Sequence, residues 1–228
     1  MMADLLLIIG VFIAFHLIPA FGPVRRMLVR ALGIKMYVGL YSAVSVGLLV
    51  LIGLAYANAD TDILWPQWPW TRWMPIFTMP FVCLLLVSTL SEPNPFSVGV
   101  KADRFDPDHP GIVSVTRHPL IWALGLWAVA HLAPNGDTAS VLLFGLFAVL
   151  AFVGLWSLDA KKRRDMGEEK WRRLTAPTSS FPMWAVLRGR TRLDLKGIGW
   201  LRVVGAVVLY GTILLSHEYV IGVSPLPF

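Results

Sequence analysis

The chain has 228 residues, 56% of them hydrophobic and only 15% charged. Soluble domains average about 45–50% apolar and ~25% charged, and no soluble core of this size hides so much apolar surface, so the composition is that of a membrane protein. The net charge of +6 does not indicate nucleic-acid binding, because the basic residues sort by loop and form no recognition face.

Six apolar stretches lie near the roughly 20 residues needed to cross a bilayer. They run over about 5–20, 37–57, 73–90, 119–133, 139–158 and 198–220. They predict an all-α polytopic bundle of about six transmembrane helices, a single domain over 1–228 with no internal repeat. The N-terminal Met1-Met2-Ala3-Asp4 lacks a positive region and no small-residue cleavage site follows, so a cleaved signal peptide is not expected. The first span carries His16 late in its run, and the loop after it carries Arg25, Arg26, Arg30 and Lys35. The second loop has Arg72 as its only basic residue and is crowded with Trp65, Trp68, Trp70 and Trp73, an interfacial aromatic belt. Cys83, in the third span, is the only cysteine. This excludes an internal disulfide, and the absence of a Cys-x-x-Cys-His string excludes covalent haem attachment.

The third loop holds Lys101, Arg104 and Arg117, with His109 in the turn-rich, solvated string Asp106-Pro107-Asp108-His109-Pro110. Pro119 suits the first turn of a short fourth span, and Pro134-Asn135-Gly136-Asp137 is a turn that makes spans four and five a tight antiparallel hairpin. The fifth loop, 159–197, has eleven basic residues. Its first part reads as a charged helix continuing from span five. Its second, Phe181 to Leu187 followed by Arg188 and Arg190, reads as a segment lying at the headgroups. Nineteen of the twenty Lys and Arg residues fall on one side of the membrane in this scheme. The odd-numbered loops are then cytoplasmic and both termini face out. His217 and Glu218 end the last span at the outer interface.

Imidazole in lipid is costly and commonly faces a bundle interior or a ligand. His16 and His131 sit inside apolar runs, and His118 stands at the mouth of span four in Thr116-Arg117-His118-Pro119. Neutral imidazole ligates iron, so these positions suggest haem or a metal, with interhelical hydrogen bonding as the alternative. His118 and His131 are thirteen residues apart on one helix, hence about 20 Å along its axis. At most one of them can therefore share an iron with His16. Depth along the spans favours His118. Arg117, with Arg25 and Arg26, could hold the propionates by charge-assisted hydrogen bonds, or could contact anionic lipid.

The strings Gly111-Ile112-Val113-Ser114-Val115-Thr116-Arg117-His118-Pro119, Trp127-Ala128-Val129-Ala130-His131 and Asn135-Gly136-Asp137 resemble the NnrU family. So do Tyr37-Val38-Gly39-Leu40-Tyr41-Ser42 and Thr178-Ser179-Ser180-Phe181-Pro182. This family of bacterial membrane proteins is linked to nitrogen-oxide metabolism and is related to 15-cis-zeta-carotene isomerase. The resemblance implies an inner-membrane haem b protein whose metal ligands are His16 and His131, with His118 the alternative second ligand. Its partners would be the lipid bilayer and either nitric oxide or a lipophilic polyene, with no nucleic acid. The isomerase has a redox-active cysteine three residues before its second ligand; here Ala128 stands there, so that switch does not carry over. The Arg-His-Pro string is also similar to that of membrane methyltransferases of the isoprenylcysteine and phospholipid type, in which it and an acidic pair hold S-adenosylmethionine. Here the acidic-pair position is Asp159-Ala160, and the tyrosine favoured after the proline is missing. A haem-free structural membrane protein is the third reading.

Overall fold

In the computed structural model, residues 2–17, 22–96 and 102–227 are described, and they form an all-α architecture. The helices are α1 (Met2–Leu17), α2 (Gly22–Leu32), α3 (Ile34–Ala57), α4 (Trp73–Ser91), α5 (Pro119–Leu132), α6 (Thr138–Met166), α7 (Glu168–Thr175), α8 (Trp184–Leu187), α9 (Leu195–Ile198) and α10 (Trp200–Ile221). An isolated β-bridge between Ile63 and Asp137 is the only extended pairing among the described residues.

Four of these segments are long and apolar enough to cross a membrane: Ile34–Ala57, Pro69–Ser91, Thr138–Met166 and Trp200–Ile221. Their outward surfaces are apolar. On α10, Leu201, Val207, Val208 and Leu215 are all more than 60% exposed. An apolar surface of that extent on a span-length helix is what a membrane-embedded helix presents. The other two expected spans are shorter helices. The 16 residues of α1 rise about 24 Å and the 14 of α5 about 21 Å, against a hydrocarbon core of ~30 Å. The expected end of span one at Ala20 lies outside the described residues.

By its internal contacts the chain divides into two units, Met1–Trp65 with Gly136–Leu143, and Pro66–Asn135 with Phe144–Phe228. In the first, α1 and α2 pack on α3 around Leu5, Ile9, Phe12, Leu48 and Ile52. The residues after α3 are fastened by Leu64 N–H to the Gly136 carbonyl (2.7 Å), Thr138 N–H to the Asp62 carbonyl (2.9 Å) and Tyr56 to Ser140 (2.8 Å). Asp137 receives the Ser140 N–H at 2.9 Å, which caps the start of α6. Helix α2 falls within the expected first loop. Its sequence, GPVRRMLVRAL, places Arg25, Arg26 and Arg30 among apolar residues at helical spacing.

In the second unit α4 packs against α5 and α10. The core holds Val82, Cys83, Phe96, Ile112, Val113, Ala123, Trp171 and Ile198. Gly125 lets α5 approach α6, since a Cβ there would lie 3.3 Å from that of Ala151. The charged extension of α6 stops at Gly167, whose φ of 82° breaks the helix before α7. Three loops converge at the end of this unit where α4 stops and α5 and α10 begin: the Gly111–Ser114 turn, the 176–183 segment and α9.

Candidate functional site

The apolar histidines come first. In the first unit, His16 Nδ1–H donates to the Phe12 carbonyl one turn back, at 2.8 Å. In the neutral ring that bond puts the proton on Nδ1 and the lone pair on Nε2. Nε2 faces Ser45 Oγ at 3.4 Å, but the Ser45 hydroxyl proton is already donated to the Tyr41 carbonyl at 2.8 Å. The ring is enclosed by Phe12, Phe15 and Tyr41, with centroids 4.0–5.5 Å away.

In the second unit His131 is held in the same way. Its Nδ1–H donates to the Trp127 carbonyl at 2.8 Å, again one turn back. It stacks on Phe144 and lies beside Trp127, with centroids at 5.5 and 5.6 Å. Its Nε2 has no hydrogen-bond partner among the described residues. The bond to the carbonyl one turn back orients each imidazole.

His118 is held differently. It is fully buried, and its Nε2–H donates to Asp159 Oδ1 at 2.6 Å. Arg117 grips the same carboxylate with both ends of its fork, Nε to Oδ1 at 3.0 Å and Nη2 to Oδ2 at 2.5 Å. Ser180 Oγ adds a fourth donor at 2.7 Å. The Arg117 guanidinium also lies over the Trp171 ring, 5.4 Å from its centroid. Bidentate Arg–carboxylate geometry with two further donors makes Asp159 the hub of a charge-assisted network. His118 Nδ1 is buried with no hydrogen-bond partner among the described residues.

Backbone pairing explains why these residues meet. Arg117 N–H donates to the Ser179 carbonyl (2.9 Å) and Met183 N–H to the Val115 carbonyl (2.8 Å). Thr116 Oγ1–H and the Trp122 indole both donate to the Ser180 carbonyl, at 2.9 and 2.7 Å. Asn94 supports the strand from the other side, Nδ2–H to the Arg117 carbonyl at 3.1 Å. The Thr-Arg-His-Pro string and the Thr-Ser-Ser-Phe-Pro string are thus one structural unit. Met183 has a φ of 61°, an uncommon conformation for a non-glycine residue, where the chain turns out of this pairing.

A second polar cluster lies at the same end. Glu92 is 5% exposed; it accepts Ile112 N–H at 2.7 Å, and Arg202 Nε stands 3.5 Å from its other oxygen. Burial pushes the Glu92 carboxyl above its ordinary range, with the Ile112 N–H and Arg202 opposing it. Asp194 accepts Gly111 N–H at 3.0 Å and Gly197 N–H at 2.8 Å. Burial would raise that carboxyl as well, but the two backbone donors hold it below the usual range. Gly111 has a φ of 53°, and a Cβ there would collide with Glu92 Oε2.

Among the sequence-derived candidates, Arg117 and His118 are joined through Asp159, whereas His131 ends the same helix with a free Nε2. Arg25 and Arg26 are exposed on α2, with Arg25 5.9 Å from the Tyr37 ring centroid. Asp159 occupies the acidic-pair position of the methyltransferase resemblance, and here it receives Arg117, His118 and Ser180. Ser180, Glu92 and Asp194 were not foreseen. For Ser180 the signal in the chain is the Thr178-Ser179-Ser180-Phe181-Pro182 string itself. Among the described residues no three His, Cys, Asp or Glu side chains converge on a metal position.

A family model described as NnrU protein matches residues 4–225. No curated protein and no solved structure matches the chain.

Proposed function

The chain belongs to the NnrU family, and from that premise we propose that it is a haem b-binding protein of the bacterial inner membrane. His16 and His131 would hold its iron. The observation that carries this reading is the shared state of the two rings: each gives Nδ1–H to the carbonyl four residues back, and the Nε2 atoms meet nothing closer than Ser45 Oγ, 3.4 Å from that of His16. A group that brings its own equatorial donors is the kind that two imidazoles can hold where no three-ligand cluster forms. His118 is the weaker candidate because its Nε2 is bonded to Asp159 and its ring is fully buried.

Haem b held by these two histidines would supply a redox-active iron. The protein's part is to set each tautomer, keep the rings in aromatic surroundings and exclude water. Phe12, Phe15 and Tyr41 do so around His16, and Trp127 and Phe144 around His131. The outside ligand would be nitric oxide, making the protein a sensor or accessory of nitrogen-oxide metabolism. A polyene double bond instead would make it a redox-dependent cis–trans isomerase. The positive-inside asymmetry supports both termini in the periplasm, with α1 and α5 entering the bilayer as well as the four longer helices.

Purification in mild detergent from haem-replete cells, with oxidised and reduced spectra and a pyridine haemochrome assay, tests the proposal. A stoichiometric b-type Soret band is expected; a colourless, folded protein overturns it. Feeding 9,15,9'-tri-cis-zeta-carotene to cells expressing the chain separates the two activities, because only the isomerase changes the pigment.

A further inference from the structure

Between the 176–183 segment and α10 the chain exposes alternating apolar and basic side chains that the site above does not use. Trp184, Leu187 and Leu195 stand out, Leu187 at 73% and Leu195 at 68% exposure. Interleaved with them are Arg188, Arg190, Arg192 and Lys196, all exposed. Among the described residues none of these four pairs with a carboxylate, whereas Arg163 and Arg172 earlier in the same loop share Glu168. The one acid in the stretch, Asp194, is turned to the N–H groups of Gly111 and Gly197. The four cations therefore have no counter-charge among the described residues.

The segment is also shaped. Arg188 lies over the Trp184 ring, 4.5 Å from its centroid. Arg190 N–H returns to the Ala185 carbonyl at 2.9 Å, and Arg190 Nη1 reaches the Ala176 carbonyl at 3.1 Å. The stretch runs directly into α10, whose first residue, Trp200, is 71% exposed. It thus sits where a membrane helix begins.

We propose that residues 181–196 form a docking surface for anionic phospholipid headgroups. The apolar side chains enter the acyl boundary, and the arginines and Lys196 meet the phosphodiesters and the acidic headgroups. Charge complementarity decides the occupant, since unpaired cations beside exposed apolar side chains match an anionic lipid surface and not a neutral one. Each such cation near an anionic membrane strengthens binding about fivefold, and the effect fades beyond a Debye length of roughly 8–10 Å. The inference rests on the membrane nature of the chain and is independent of haem.

The test uses the full chain in nanodiscs of phosphatidylcholine alone or mixed with phosphatidylglycerol. Lipid retained after extraction is counted by native mass spectrometry, and a nitroxide on Leu187→Cys reports depth. Cys83 is fully buried and does not compete for the label. Phosphatidylglycerol is expected to be retained preferentially. The preference should fall at least about tenfold in the triple variant Arg188→Gln, Arg190→Gln, Arg192→Gln, and should weaken in high salt. The nitroxide should lie in lipid. Equal retention of the two lipids by the unmodified chain, or a nitroxide in water or held by protein, overturns the proposal. So does displacement of the lipid by inorganic phosphate.

Discussion

Helix α5 carries a histidine at each end, and the two rings are held in opposite ways. At its start His118 gives Nε2–H to Asp159, inside a buried network with Arg117 and Ser180. In its last turn His131 gives Nδ1–H to the Trp127 carbonyl and leaves Nε2 free among aromatic rings. The same residue type is tied to a distant carboxylate at one end and only to its own helix at the other. The difference lies in whether a charged group from elsewhere in the chain reaches the ring. His16 falls on the His131 side of this division.

The sharpest way to break that contrast is to delete each ring in turn. His16→Ala and His131→Ala should each abolish the bis-histidine haem spectrum, while His118→Ala should leave it in place at lower protein stability. Loss of haem in His118→Ala with retention in His131→Ala, read by reduced-minus-oxidised spectra, would reverse the assignment.

Asp159→Asn comes next. It removes the charge from a carboxylate that is 20% exposed and bound to two cationic or ionisable partners. Breaking such a pair from one side costs about 3–5 kcal/mol, because the remaining charge stays buried. Denaturant titration in detergent should report that loss. Asp159→Glu is not expected to restore full stability, because its longer side chain cannot keep all four donors in register.

Gly111→Ala is expected to cost about 1–3 kcal/mol, from its positive φ together with the collision against Glu92. The paired variant Gly111→Ala/Glu92→Ala should recover the steric part, which a double-mutant cycle measures.

The smallest effect concerns pH. Burial raises the Glu92 carboxyl in the folded chain above its ordinary 4.5. A raised folded value means that folding favours the protonated form. The associated stability is fully present below the unfolded value and is lost as pH rises through the folded value. Glu92→Gln should therefore flatten the stability profile above pH 4.5 without changing the Asp159 network. An unchanged slope in the variant would place the titration elsewhere.

Much of this was legible in the chain itself. Hydropathy is set by composition within a window of one helix, so helical class, the apolar runs and the sorting of basic residues needed no tertiary information. The histidine bonds to carbonyls one turn back are local too, because a helix presents its own i−4 carbonyl to the side chain. The length of span four was misjudged by little, since Pro119 and the Pro-Asn-Gly-Asp turn bound it on both sides. Helix α2 does not stand out by hydropathy, because Arg25, Arg26 and Arg30 interrupt its apolar residues.

What only the fold decided is which distant polar groups meet. Asp159 lies 42 residues from Arg117, and Ser180 lies 64 from Thr116. In sequence they are an acid at the end of an apolar run and a serine in a turn. Packing of α5 beside α6, with the 176–183 segment laid across both, buries them together, and a buried carboxylate must find donors. Glu92 and Asp194 are fixed by the same requirement. The sequence alone determined that the chain belongs in a membrane and which histidines it carries there. The tertiary structure determined which of those histidines is bound to a carboxylate and which are held only by carbonyls of their own helix.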